Sequence, residues 1–188
     1  AKDILPFRKY VVVLAVKPQD PIIEKFRKEG YRVIYSWPPR YSDDRVVLWI
    51  KPKHIYSGPE QTAKIALALD DIYSNGGWTV YFDESGYISS ELRLHGHLGV
   101  LLNQGRSSDI TVVTAMTQAK SLIARVPTET LKQCYHRMLF KTRDEREQKA
   151  MAEICGISFQ DMREFHKILS DHDFLYVGPR DEIIIVRG

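Results

Sequence analysis

Two adjacent carboxylates, Asp83 and Glu84, follow directly on the run Trp78-Thr79-Val80-Tyr81-Phe82. Side by side at the end of an apolar segment, they are costly to bury unless a cation or a reaction uses them. Such a pair can divide two tasks. Asp83 holds a divalent cation, usually through water, while Glu84 orients an attacking water and takes its proton. With phosphates on the cation this is phosphoryl-transfer chemistry, in which a protein supplies position and charge rather than covalent steps. Two solvated acids before a turn would leave the same short pattern, so the pair needs support from elsewhere in the chain.

Two more residues offer it. The run "DITVVTAMTQ" (109–118) ends in Thr117-Gln118. If it is a parallel neighbour of the 78–82 strand, Gln118 comes to lie beside the acids, where a neutral amide can sense a phosphate or hold a water. The plain alternative is a polar residue opening a loop. Between the two runs, "NQGRSSDI" places Arg106 where a helix turns back into a strand. A guanidinium on such a rim can reach a neighbouring subunit's phosphates. A surface Arg complementing a helix C-terminus is the competing explanation.

The elements that must position these residues alternate along the chain. Buried strands are expected at 10–16, 78–82 and 109–118, which are largely β-branched and apolar, with further strands at 31–34 and 45–50. Helices are expected at 20–30, with an acidic N-cap, Pro and a terminal Gly; at 58–77, with a Gly-Gly stop; and at 89–106, capped by Ser89 or Ser90. A short helix at 128–135, a strand at 137–142 and helices at 144–155 and 158–169 follow. The end, "DFLYVGPRDEIIIVR", reads as a hairpin. Strands alternating with helices predict an α/β fold with a three-layer, mainly parallel sheet and a C-terminal β-hairpin.

Composition sets bounds on this reading. The 188 residues suit one domain with a sizeable core, and a net charge of +3 is too small to argue for nucleic acid. Cys134 and Cys155 lack metal-ligand spacing and read as small apolar residues of a reduced, intracellular protein. There is no run long enough to span a membrane and no visible signal peptide, so no membrane partner is expected. His95 and His97, two apart on a helix, do not share a face and make a poor metal pair. Lys51, Lys53 and His54 form a basic loop after a strand, able to track a nucleic-acid backbone. Arg143, Arg146 and Lys149 read as a solvated face.

Taken in order, "VYFDE", "LLNQGRSSDITVVTAMTQ" and "VPTETLKQCYHRMLFKTRDE" resemble the FtsK/HerA superfamily of P-loop motor ATPases, and within it the viral DNA-packaging ATPases. The resemblance covers roughly residues 5 to 186 and is strongest from Trp78 to Glu145. It implies a RecA-like ASCE sheet that binds ATP and Mg2+, with Asp83 of Walker B helping to hold the metal. It further implies Glu84 as catalytic base, Gln118 as sensor and Arg106 as an arginine finger acting in trans. The function implied is an oligomeric ATPase that couples hydrolysis to translocation of double-stranded DNA into a capsid. Its partners would be identical subunits in a ring (pentamer or hexamer) and a capsid portal, in the host cytoplasm or with the virion. The alternatives are a non-hydrolysing ring or scaffold subunit and a related conjugation or secretion motor.

The sequence departs from that family in two places. GxxxxGK[ST], whose backbone amides and Lys cradle phosphates, is absent. The expectation is one P-loop ATPase domain over 1–188 that lacks its P-loop strand and Walker A, with the middle strand of the sheet supplied from upstream of Ala1. Second, Ala15-Val16-Lys17-Pro18 stands where the family often carries an acid at a strand end, so no role is expected of this turn.

Overall fold

The computed structural model describes residues 5–119, 123–124, 126–180 and 182–188. They fall into two compact units, divided between Thr117 and Gln118.

The first unit is built on five strands: β1 (Tyr10–Ala15), β2 (Arg32–Ile34), β3 (Arg45–Trp49), β4 (Trp78–Phe82) and β5 (Thr111–Thr114). Their order is β2-β3-β1-β4-β5, and every neighbouring pair is parallel. The expected α/β class and parallel sheet are therefore observed. The middle place belongs to β1 itself, where the sequence reading looked for a strand from upstream of Ala1. An apolar run shows that a strand is buried, but not between which neighbours.

β1 is in the middle because both of its faces are apolar. Val11, Val13 and Ala15 pack with Val47, Tyr81 and the α1 (Pro21–Lys28) residues Ile23 and Phe26. On the opposite face Val12, Leu14, Val46, Leu48, Val80 and Phe82 are fully buried. Helix α1 starts at Asp20, whose carboxylate accepts from the Ile22 amide at 3.1 Å, and has Pro21 in its first turn. Helix α2 (Gly58–Asn75) ends at Gly76, at φ 68°. A Cβ on Gly76 would stand 2.4 Å from the Ser108 carbonyl oxygen, so only glycine allows this approach.

Two expectations need correction. The segment 89–106 is not one helix: α3 (Ser85–Ser90) and α4 (His95–Gln104) are separate, followed by a 3-10 turn at Gly105–Ser108. Arg93, at φ 56°, takes the left-handed conformation between them, and the Ser89 hydroxyl bonds the Gly86 carbonyl rather than capping a helix. Second, β5 stops at Thr114, four positions short of Gln118.

The second unit holds α5 (Thr128–Leu131), β6 (Arg137–Phe140), α6 (Glu145–Cys155), α7 (Phe159–Ile168), β7 (Phe174–Val177) and β8 (Ile183–Val186). β7 and β8 form the expected hairpin, and β6 joins them in an antiparallel sheet ordered β6-β7-β8. Leu139, Leu175, Val177 and Ile185 turn one face of it onto Ala152, Met162 and Phe165 of the two helices. Among the described residues no helix is long and apolar enough to cross a membrane.

Candidate functional site

Ligands of open parallel sheets bind at the carboxyl ends of the strands, and that edge of the first unit is where the acids stand. Asp83 and Glu84 are the two residues after β4. The turn they make is pinned to the end of β5: the Ser85 amide and hydroxyl both donate to the Ala115 carbonyl, at 3.1 and 3.0 Å. The Tyr81 hydroxyl donates to Asp83 Oδ1 at 3.2 Å, which fixes the carboxylate's orientation.

Opposite them, β1 runs on into Val16 and Lys17. The Lys17 ammonium lies 2.7 Å from Glu84 Oε1 and 3.6 Å from Asp83 Oδ2. Its backbone is held by the Trp49 indole, which donates to the Lys17 carbonyl at 2.9 Å. Buried Gln61 of α2 ties two loop bases together, its amide donating to the Val16 carbonyl at 2.9 Å and the Ile50 carbonyl at 2.7 Å. The Tyr87 hydroxyl donates to the Gln61 side-chain oxygen at 3.2 Å.

The electrostatics at this edge leave negative charge under-compensated. Burial first, and then the charge of Asp20, push the Asp83 pKa above its ordinary value, against the opposing pull of Lys17 and of the Tyr81 hydroxyl. The bond to Glu84 holds the Lys17 pKa up. The two shifts are compatible. Lys17 satisfies Glu84 at bonding distance, and its weaker hold on Asp83 at 3.6 Å offsets only part of that residue's burial. Asp20 Oδ2 is buried and has no hydrogen-bond partner among the described residues.

Lys17 and Glu84 face a cleft of about 620 Å3 together with Lys53, His54 and Ile55 of the β3–α2 loop and Tyr87 of α3. Arg106 is elsewhere. It lies in the Gly105–Ser108 turn before β5, which is tied to the residue preceding β4 by the Gly77 amide donating to the Ser108 carbonyl at 2.9 Å. That is the amino edge of the sheet, separated from the acids by the length of β4, or ~16 Å at the usual rise per residue. Gln118 lies past the end of β5, as the first residue of the second unit.

Does this edge suit a nucleotide with its metal? The acid end does. A raised Asp83, a nearby Glu84 and an orphaned Asp20 oxygen call for a cation. Among the described residues no three His, Cys, Asp or Glu side chains could hold a metal. Mg2+ accepts that, because it is commonly bound by one or two carboxylates plus waters and substrate phosphates. The phosphate end is built differently from a P-loop. The β1–α1 loop, Val16-Lys17-Pro18-Gln19-Asp20, has no glycine, and Pro18 has no N–H. The first turn of α1 carries Ile22, Ile23 and Glu24 instead of a hydroxyl. The sequence alone assigns no role to Lys17, which stands two residues past the end of β1; its importance lies in a partner far along the chain.

The all-parallel five-stranded sheet, with the acids at the carboxyl end of the strand beside the central one, is the fold of solved P-loop NTPases. Solved structures it is similar to include those of B204, a genome-packaging NTPase. The DNA-packaging ATPase B204 of Sulfolobus turreted icosahedral virus superposes with a TM-score of 0.54 at 15% identity, over 96% of this chain and 98% of that one. B204 of Sulfolobus turreted icosahedral virus 2 in complex with ATP-gammaS matches with a TM-score of 0.53 at 15% identity, over 95% and 97% of the two chains. The same protein in complex with sulfate matches with 0.53 at 14% identity, over 96% of both. At such identity the likeness establishes the fold. Neither a protein-family model nor a curated protein sequence matches the chain.

Proposed function

We propose that this chain is a subunit of an oligomeric ATPase that translocates double-stranded DNA during genome packaging. The observation that carries the reading is the Asp83–Glu84 pair on the carboxyl end of β4 in a fold shared with a DNA-packaging ATPase. Bound Mg2+ and ATP would supply the electrophilic phosphorus and neutralise its charge. Asp83 is assigned to the metal. Glu84 takes the proton of the attacking water, and for this it must first shed Lys17, since an ion-paired carboxylate is a poor base. Gln118 is the proposed sensor, and Arg106 the group offered to a neighbouring subunit. The partners are then identical subunits in a ring, the DNA, and a capsid portal, in the cytoplasm of a host cell.

One observation favours a second reading. The glycine-free β1–α1 loop suits a subunit that has kept the fold in a ring or scaffold without hydrolysing. A single assay separates the two: ATP turnover by the purified chain with and without double-stranded DNA, repeated with Glu84→Gln. DNA-stimulated turnover that the substitution removes supports the motor. DNA binding and ring assembly without any turnover supports the scaffold.

A further inference from the structure

The cleft between the β1–α1 and β3–α2 loops has lysines on both walls, and nothing in the motor chemistry so far has used the second wall. Lys17 stands on one side, with Lys53 and His54 on the other, and Glu84 adjoins them. We infer that this cleft grips the triphosphate of a nucleotide through the Lys17 and Lys53 ammonium groups in place of a glycine-rich backbone loop, with the base against Ile55 and Tyr87. The inference rests on the nucleotide reading given above and adds where, and by which side chains, the nucleotide is held.

Four features carry it. The volume, about 620 Å3, is that of a small-molecule site. Both walls are fixed to each other through Gln61, which bonds the Val16 carbonyl at the root of one loop and the Ile50 carbonyl at the root of the other. The second loop is also rigid at its tip, because the Ser57 hydroxyl accepts from the Lys53 and His54 amides at 2.9 and 3.0 Å. A lysine presented from a fixed backbone loses less freedom on binding phosphate than one on a mobile loop. Lys53 is also available: its side chain is 73% exposed, and its partner Glu60, 3.4 Å away, is held more closely by Lys64 at 2.9 Å. Finally, Ile55 is 96% exposed at the lip of the cleft, where an apolar side chain gains by covering a planar base. The same loop could instead track a DNA backbone, and the test below includes that outcome.

The test measures binding rather than turnover. The purified chain is titrated with a fluorescent ATP analogue, with and without Mg2+, and with competing unlabelled ATP. The variants are Lys53→Ala, Ile55→Glu and, as a remote control, Lys28→Ala. These positions are exposed, and a melting curve for each checks the fold. Loss of one ammonium–phosphate contact predicts analogue binding weakened about tenfold or more in Lys53→Ala. Ile55→Glu should weaken it comparably, and Lys28→Ala should bind as wild type. If wild type binds the analogue and both cleft variants bind it equally well, the grip is wrong while the nucleotide reading stands. If Lys53→Ala and Ile55→Glu weaken double-stranded DNA binding but leave analogue binding intact, the loop serves DNA and the inference falls. If wild type binds no nucleotide, both fall together.

Discussion

Lys17, two residues past the central strand, holds its ammonium 2.7 Å from the Glu84 carboxylate at the exit of a different strand. The contact joins β1 to β4 across the carboxyl edge and offsets part of the charge that burial makes costly there. Lys17→Met keeps the length of the side chain and removes the charge. Asp83 already titrates above its ordinary value, so its ionisation costs folded-state stability as pH rises from the unfolded pKa through the folded one. Without Lys17 that cost grows. The variant should therefore lose more thermal stability at about pH 8 than at about pH 4, where Asp83, with its raised pKa, carries less charge. Equal losses at both pH values would show that Lys17 does not compensate the pair.

Glu84→Gln keeps the shape of the side chain and removes its basicity. In the motor reading, turnover falls by roughly a hundredfold to ten-thousandfold while nucleotide affinity is maintained, because the lost interaction is made in the transition state. Loss of Lys17's ion-pair partner should also free that ammonium for phosphate, so affinity is expected to equal or exceed wild type. Steady-state turnover together with equilibrium binding checks both halves. Turnover at the wild-type rate refutes the assignment of Glu84 as base.

Arg106 and the acid pair lie on opposite edges of one sheet. Within a chain Arg106 therefore cannot serve that site, so any catalytic role must be exercised on a neighbour. Arg106→Ala should abolish turnover and spare nucleotide binding, and activity of the wild type should rise steeply with concentration as subunits assemble. Mixing Arg106→Ala with Glu84→Gln should restore part of the activity, since some interfaces then pair an intact Glu84 with an intact Arg106. Mixed assemblies that form yet stay inactive would leave Arg106 as a helix-end residue.

His166 supplies a pH signature for the second unit. It is buried, and its Nδ1 accepts the Thr142 amide hydrogen at 3.2 Å, which requires a neutral ring. Burial, and then the charge of Lys141, lower its pKa below the ordinary 6.5. The folded state thus binds this proton less well than the unfolded state. Stability from this site is present above pH 6.5 and declines as pH falls towards the folded pKa. Between about pH 7.5 and about pH 5, His166→Gln should show a smaller drop in melting temperature than wild type, even if its stability at neutral pH is lower. Parallel melting curves would rule out the histidine as the cause.

Much of the first unit is legible in the sequence because its strands are apolar on both faces. Val11–Ala15 and Val80–Phe82 cannot face water on either side, and that alone calls for a covered parallel sheet. The acid pair is legible for the complementary reason: polar residues directly after such a run must emerge at the carboxyl edge. Strand order is not legible, since pairing β1 with both β3 and β4 depends on contacts between distant segments. Lys17 carries no local signal for the same reason, its importance lying in a neighbour far along the chain. The break after Ser90 is not legible either, because Arg93 adopts a left-handed conformation that its residue type gives no reason to expect. Gln118 is expected at a strand end because the apolar residues of "TVVTAMTQ" run on to Met116 before the polar pair, whereas the strand itself stops at Thr114.

The place of β1 also bears on how the chain is made. Its partners are matched at Val11 with Arg45 and at Tyr10 with Trp78, so the earliest of the five strands in chain order is completed by the fourth. At ordinary translation speeds the nascent chain carries the unpaired "YVVVLA" segment for on the order of several seconds before Phe82 is available to close its second edge. A β-branched stretch with both edges open is a template for aggregation, and the long wait for its partners slows productive folding. Production of this protein should therefore depend more on chaperone supply and synthesis rate than its final stability would suggest. Slowing expression is the first remedy to try if it accumulates in inclusion bodies.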